Sequence, residues 1–186
     1  MERGKRRVTS CLEIAIGPLA QDTSVACLFH MEPDLSNAAG RENLNRARVL
    51  FLCTHNSARS QMAEAFLRAL VGERFEAASA GTDATRVHPF AIQVMDEAGI
   101  DLAGHTSKSL DAFPDKSWDY VITVCDSANE RCPLFPGRTL RIHWSFDDPS
   151  QATGSDEDRL ETFRKVRDQI HARLRQWLEN LEEPAL

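Results

Sequence analysis

The stretch Val49-Leu50-Phe51-Leu52-Cys53-Thr54-His55-Asn56-Ser57-Ala58-Arg59-Ser60 decides the reading of this chain. Its first four residues form a continuous apolar run, the mark of a short strand buried on both faces. Beyond Ser60, the residues Met62, Ala65, Phe66, Ala69 and Leu70 recur at helical spacing, with Gly72 as the expected stop. A strand therefore enters a polar loop and a helix leaves it. Backbone N–H groups in such a turn converge on a nest backed by a helix N-terminus, which suits a tetrahedral oxyanion. Thr54, His55, Asn56, Ser57, Ala58 and Arg59 are the expected anion-binding residues, and the Arg59 guanidinium adds a bidentate fork. The same field acts on Cys53: beside an Arg and a helix N-terminus, a thiol pKa falls to roughly 3.5–7.5 from about 8.5. Cys53 is thus expected to be a thiolate nucleophile. Ser57 and Ser60 are placed to donate to its sulfur, and His55 to tune it.

Working outward, strands and helices alternate. Phe75 to Ala80 reads as a second strand closed by Gly81, and Pro89 opens a helix with Ala91, Val94, Met95 and Ala98 inward, ending at Gly99. Ser107 to Phe113 reads as another short helix. Trp118 to Val124 is a third strand, ending like the first at a cysteine, Cys125. Thr139 to Trp144 is a fourth. A long helix follows from about Asp156 to Leu181, with Leu160, Phe163, Val166, Ile170, Leu174, Trp177, Leu178 and Leu181 on one stripe. The alternation predicts an α/β fold: three layers, with a four-stranded parallel sheet and helices on both faces. Ligand sites in such sheets lie beyond the carboxyl ends of the strands, where both Cys53 and Cys125 fall.

The chain of 186 residues has room for one domain, expected at 47–182, with an extension over 1–46 and a tail at 183–186. The extension reads as disordered or as an over-long gene start, with Met31 an alternative first residue. Its apolar stretch is too short and too polar to span a bilayer, and Glu13 and Pro18 interrupt any signal-peptide pattern. The net charge of −6 argues against a nucleic-acid surface. Five cysteines, Cys11, Cys27, Cys53, Cys125 and Cys132, make no disulfide framework and no zinc set. A cytoplasmic monomer with working thiols, no metal and no membrane association is the expectation.

The spacing Cys53-x5-Arg59-Ser60 after the first strand resembles the low-molecular-weight protein tyrosine phosphatase fold. The continuation Gln61-Met62-Ala63-Glu64, the pair Cys125 and Cys132-Pro133, and the run His143-Trp144-Ser145-Phe146-Asp147-Asp148-Pro149 resemble its thioredoxin-coupled arsenate reductases. The likeness runs from about Arg48 to Leu181. It implies that Cys53 attacks arsenate with Asp148 as general acid, that Cys125 then displaces arsenite to form a Cys53–Cys125 disulfide, and that Cys132 attacks Cys125 and frees Cys53. Reduced thioredoxin would be the electron donor, no cofactor would be bound, and phosphate and sulfate would compete with arsenate. Cys125 and Cys132 lie about two helical turns apart, so Asp126 to Arg131 has to loop or unwind before they bond.

Some relatives bind potassium near the loop through an Asn, a Glu, a Ser and an Asp. Asn56, Glu64 and Ser79 match, whereas Lys108 stands where the acid is expected, so no potassium dependence is predicted. Two other readings stay open. A tyrosine phosphatase shares the loop and the acid, but usually has an aromatic residue after Asp-Pro, where this chain has Ser150. An oxyanion-binding thiol redox sensor would use the same three cysteines.

Overall fold

The computed structural model describes residues 46–114, 117–135 and 137–182. The extension expected over 1–46 lies outside them save for Arg46, as does the tail 183–186. The elements run β1 (Ala47–Cys53), α1 (Arg59–Val71), β2 (Phe75–Gly81), α2 (Pro89–Glu97), β3 (Tyr120–Thr123), α3 (Asp126–Glu130), β4 (Leu140–His143) and α4 (Asp156–Glu182), with 3-10 turns at Leu110–Ala112 and Pro149–Gln151. All strand pairs are parallel, in the order β2-β1-β3-β4. The expected strands are all present; β1 and β2 extend one or two residues beyond the apolar runs, and β3 and β4 are trimmed by one or two residues at their ends.

Alternation along β1 divides the core in two. Val49, Phe51 and Cys53 face the side covered by α1, α2 and α4, where Met62, Met95, Phe163, Ile170 and Leu174 are fully buried. Each such side chain stabilises the fold by about 1.5–3 kcal/mol relative to exposure. Leu50 and Leu52 face the other side, closed by Trp118 and Val121 with Leu110, Phe113, Cys132 and Phe135 against them. The α4 start is a capping box: the Ser155 hydroxyl accepts from Asp158 N–H, and the Asp158 carboxylate accepts from Ser155 N–H. The α2 start is capped by His88, whose Nδ1 accepts from Phe90 N–H, with Pro89 in the first turn.

Several expectations are corrected. Burial along α1 stops at Leu67, so Ala69 and Leu70 in its last turn are exposed, and Leu67 is the residue the apolar stripe lacked. Ala98 and Leu181 are exposed for the same reason, each lying past the packed part of its helix. The helix expected over 107–113 shrinks to the 3-10 turn Leu110–Ala112. The segment after Cys125 is helical, because Ala128 is small enough to bury completely beneath it. Among the described residues no helix is long and apolar enough to cross a membrane.

Candidate active site

The sheet order reverses between β1 and β3, and a crevice opens beyond the strand ends at such a switch point. Cys53 ends β1, and Cys125 follows β3 by one residue beyond Val124. The two cysteines therefore flank the crevice.

The loop between β1 and α1 turns its carbonyls outward. Those of Cys53, Thr54, His55 and Ser57 accept from the N–H groups of Thr82, Asp83, Thr85 and His88, at 2.8–3.2 Å. The Asn56 carbonyl accepts from Gln61 Nε2. The inner side is left to N–H groups, and Asn56 N–H points at Cys53 Sγ, 3.0 Å away. Asn56 takes a left-handed conformation, φ +48°, which Asn tolerates better than most residues. Helix α1 begins at Arg59 with no side-chain cap and no acid in its first turn, so its first N–H groups remain open to an anion.

A buried network holds this loop. Asn56 Nδ2 donates to the Ser60 and Ser79 hydroxyls, at 2.9 and 2.8 Å. Asn56 Oδ1 accepts from Lys108 N–H and Gln61 Nε2, and the Gln61 amide also meets His105 and the Thr106 carbonyl. Ser60 Oγ, already accepting from Asn56, has one proton left, and Cys53 Sγ stands 2.9 Å from it. Ser60 rather than Ser57 thus meets the sulfur. Ser79 donates to Glu64, whose two oxygens are flanked by Arg68 at 2.6 Å and Lys108 Nζ at 3.6 Å. The expected potassium ligands Asn56, Glu64 and Ser79 are therefore together, with the Lys108 ammonium beside them. Among the described residues no group of three His, Cys, Asp or Glu is arranged around a metal.

Arg59 and Asp148 form an ion pair at 2.9 Å, and Arg59 also donates to the Phe146 carbonyl. Asp148 in turn accepts from Ser150 N–H and opens the 3-10 turn at Pro149. The lowering expected for the Cys53 thiol meets an opposing influence. Burial pushes the Cys53 thiol up from its ordinary value; the Ser60 hydrogen bond opposes this, Cys125 adds to it, and Arg59 lowers it only weakly. Desolvation wins here because the sulfur is enclosed while Arg59 is engaged by a carboxylate. The His55 side chain is exposed.

Cys125 is buried with Sγ 3.5 Å from the Thr54 hydroxyl. Cys132 is half-buried just past the end of α3, and burial pushes its thiol up as well. Asp83 and the contacts made by Gln61, Gly81 and the Phe146 carbonyl are features around the loop to which the sequence assigned no role.

A sequence profile described as low molecular weight phosphotyrosine protein phosphatase matches residues 48–185. The chain belongs to that family. Within the family, this phosphatase-like chain is 41 % identical over 136 residues to an arsenate reductase of Halalkalibacterium halodurans, an alignment covering 73 % of this chain and 98 % of the relative. A solved arsenate reductase in its phosphate-binding state superposes with TM-score 0.58 at 34 % identity, covering 72 % of this chain and 98 % of the other. A thioredoxin-dependent arsenate reductase of Corynebacterium glutamicum superposes with TM-score 0.60 at 26 % identity, over 77 % of this chain and 66 % of that one. The phosphatase-like fold expected from Cys53-x5-Arg59 is therefore established; similar chains include arsenate reductases and, at 27 % identity with TM-score 0.59, a solved tyrosine phosphatase of T. tengcongensis.

Proposed function

We propose that this chain reduces arsenate to arsenite through Cys53, Cys125 and Cys132 in turn, and that cytoplasmic thioredoxin restores the dithiol. The observation that carries this reading is the second buried thiol. A phosphatase of this family needs one sulfur in the anion loop, whereas here Cys125 Sγ touches Thr54, the residue after Cys53, and acts electrostatically on the first sulfur. The named activities of the relatives point the same way.

In the proposed sequence, arsenate enters the loop, Arg59 turns from Asp148 to two of its oxygens, and the backbone N–H groups take the rest. The Cys53 proton passes to an oxyanion oxygen, the base nearest the enclosed thiol. Cys53 Sγ bonds arsenic, and Asp148, freed from Arg59, picks that proton up from the oxyanion and hands it to the departing oxygen, which leaves as water, a contribution of about 100- to 10,000-fold. Cys125 thiolate then attacks Cys53 Sγ. The S–As bond breaks with its electron pair remaining on arsenic, which leaves as arsenite, and the Cys53–Cys125 disulfide forms. Cys132 thiolate attacks Cys125 Sγ and expels Cys53, and the dithiol of thioredoxin reduces the Cys125–Cys132 bond.

The test is arsenate-dependent NADPH oxidation with thioredoxin and thioredoxin reductase. Cys53→Ser, Cys125→Ser and Cys132→Ser each abolish turnover, while the last two retain hydrolysis of a small phosphate ester. Normal cycling by Cys132→Ser would remove the third thiol from the reaction.

A further inference from the structure

Helix α3 separates two thiols that the relay has to join. Cys125 precedes and Cys132 follows the five-residue α3; an unbroken helix between them would span about 10 Å, whereas bonded cysteines need their Cα atoms within roughly 7 Å. The helix must unwind, so what holds it helical controls the step. Its five residues bury one side chain, Ala128. The rest of the restraint is polar and sits at its two ends. At the start, Asp126 pairs with His143 Nε2 at 3.0 Å, and His143 Nδ1 meets the Thr123 hydroxyl, which also donates to Asn129. At the end, Arg131 reaches Asp83 Oδ2 at 2.7 Å and the Ser127 hydroxyl at 3.2 Å.

Asp83 is no ordinary loop residue. Its own N–H donates to the Thr54 carbonyl at 2.8 Å, between the bonds of Thr82 to Cys53 and Thr85 to His55. Arg131 immediately precedes Cys132. One ion pair therefore ties the residue beside the third thiol to the backbone of the loop that carries the first.

Resting on the relay proposed above, the geometry points to Asp83–Arg131 as a clasp that keeps α3 wound, and Cys132 away from Cys125, until the chemistry in the anion loop is done. Both are positioning residues, acting through α3 rather than on arsenate. The sign follows from linkage. The clasp exists in the wound dithiol form and is lost when α3 unwinds into the disulfide, so it favours the dithiol and makes the disulfide easier for a reductant to open. Both side chains are about half exposed, so the effect is modest.

The experiment equilibrates the full chain, carrying Cys53→Ser to prevent the competing disulfide, with oxidised and reduced dithiothreitol. Each disulfide formed in the protein reduces one molecule of the oxidised reagent, and mass spectrometry reads the Cys125–Cys132 fraction. Asp83→Asn and Arg131→Gln each shift the equilibrium towards the disulfide by about 3-fold, or about 14 mV. Together they shift it no further than either alone, and the charge-swapped pair Asp83→Arg with Arg131→Asp restores it. An unchanged equilibrium in Arg131→Gln, or additive shifts in the double variant, overturns the clasp while leaving the relay intact. If the parent chain forms no Cys125–Cys132 disulfide at any ratio, the relay falls and the clasp with it.

Discussion

Arg59 and Asp148 hold each other at 2.9 Å, Nη2 to Oδ2, with the Arg59 side chain only 9 % exposed. The residue best suited to grip an oxyanion is thus already occupied by the site's own carboxylate. On the proposed function, an entering oxyanion has to displace Asp148 before it gains the fork.

Asp148→Asn relieves that competition. Sulfate and phosphate should bind about 3- to 10-fold more tightly by titration calorimetry, as expected for loss of one partly buried charge pair. Arsenate turnover should fall by about 100-fold or more, because the proton donor is gone. Weaker sulfate binding in this variant would mean that the carboxylate organises Arg59 rather than competing for it.

Cys53 should titrate above an ordinary thiol. Alkylation by iodoacetamide, followed at Cys53 by mass spectrometry across pH, should show a midpoint above that of an unburied thiol. Ser60→Ala should raise it further, since the Ser60 hydrogen bond is the largest influence opposing burial. The same sign bears on stability. The folded site keeps a proton that the unfolded chain gives up near the ordinary value, so stability falls as pH climbs through that range towards the raised one. A midpoint at or below 7 in the ligand-free chain would reverse the balance between desolvation and the loop.

Gly81 packs against the anion loop without room for a side chain. A Cβ there would stand 2.6 Å from the Thr54 carbonyl oxygen and 2.9 Å from Asn56 N. Gly81→Ala should cost about 1–3 kcal/mol by denaturant melts and should weaken phosphate binding, because backbone rather than a side-chain tip has to move. Wild-type phosphate affinity in this variant would show that the loop shifts freely.

Lys108 stands 3.6 Å from Glu64, a carboxylate buried to 2 % exposure of its side chain. Turnover should be the same in potassium and sodium chloride at equal ionic strength. Lys108→Met should destabilise the fold by about 1–3 kcal/mol, since Glu64 keeps only Arg68 as a cation. Stimulation of the wild type by potassium would show that the ammonium does not serve as the cation here.

What the chain's residues declare on their own is local. The strand, the loop and α1 are contiguous from Val49 to Met62, so apolar runs, spacing and the single Arg six residues after Cys53 were enough to foresee an anion nest and an α/β order. The roles expected of Cys125, Cys132 and Asp148 came from resemblance to a family rather than from local pattern. The partners were not legible. Arg59 answers to Asp148 and Phe146 almost ninety residues away, Asn56 to Ser79 and Lys108, and Arg131 to Asp83. At Cys53 burial pushes the thiol up, against the lowering expected from Arg59 and the helix N-terminus, because desolvation is a sum over everything packed around the sulfur, and only the closed tertiary structure sets that sum. Backbone hydrogen bonding and apolar periodicity are short-range and can be read along a sequence. Electrostatic balance in a buried pocket depends on which distant groups the fold brings together, and that the tertiary structure alone decided.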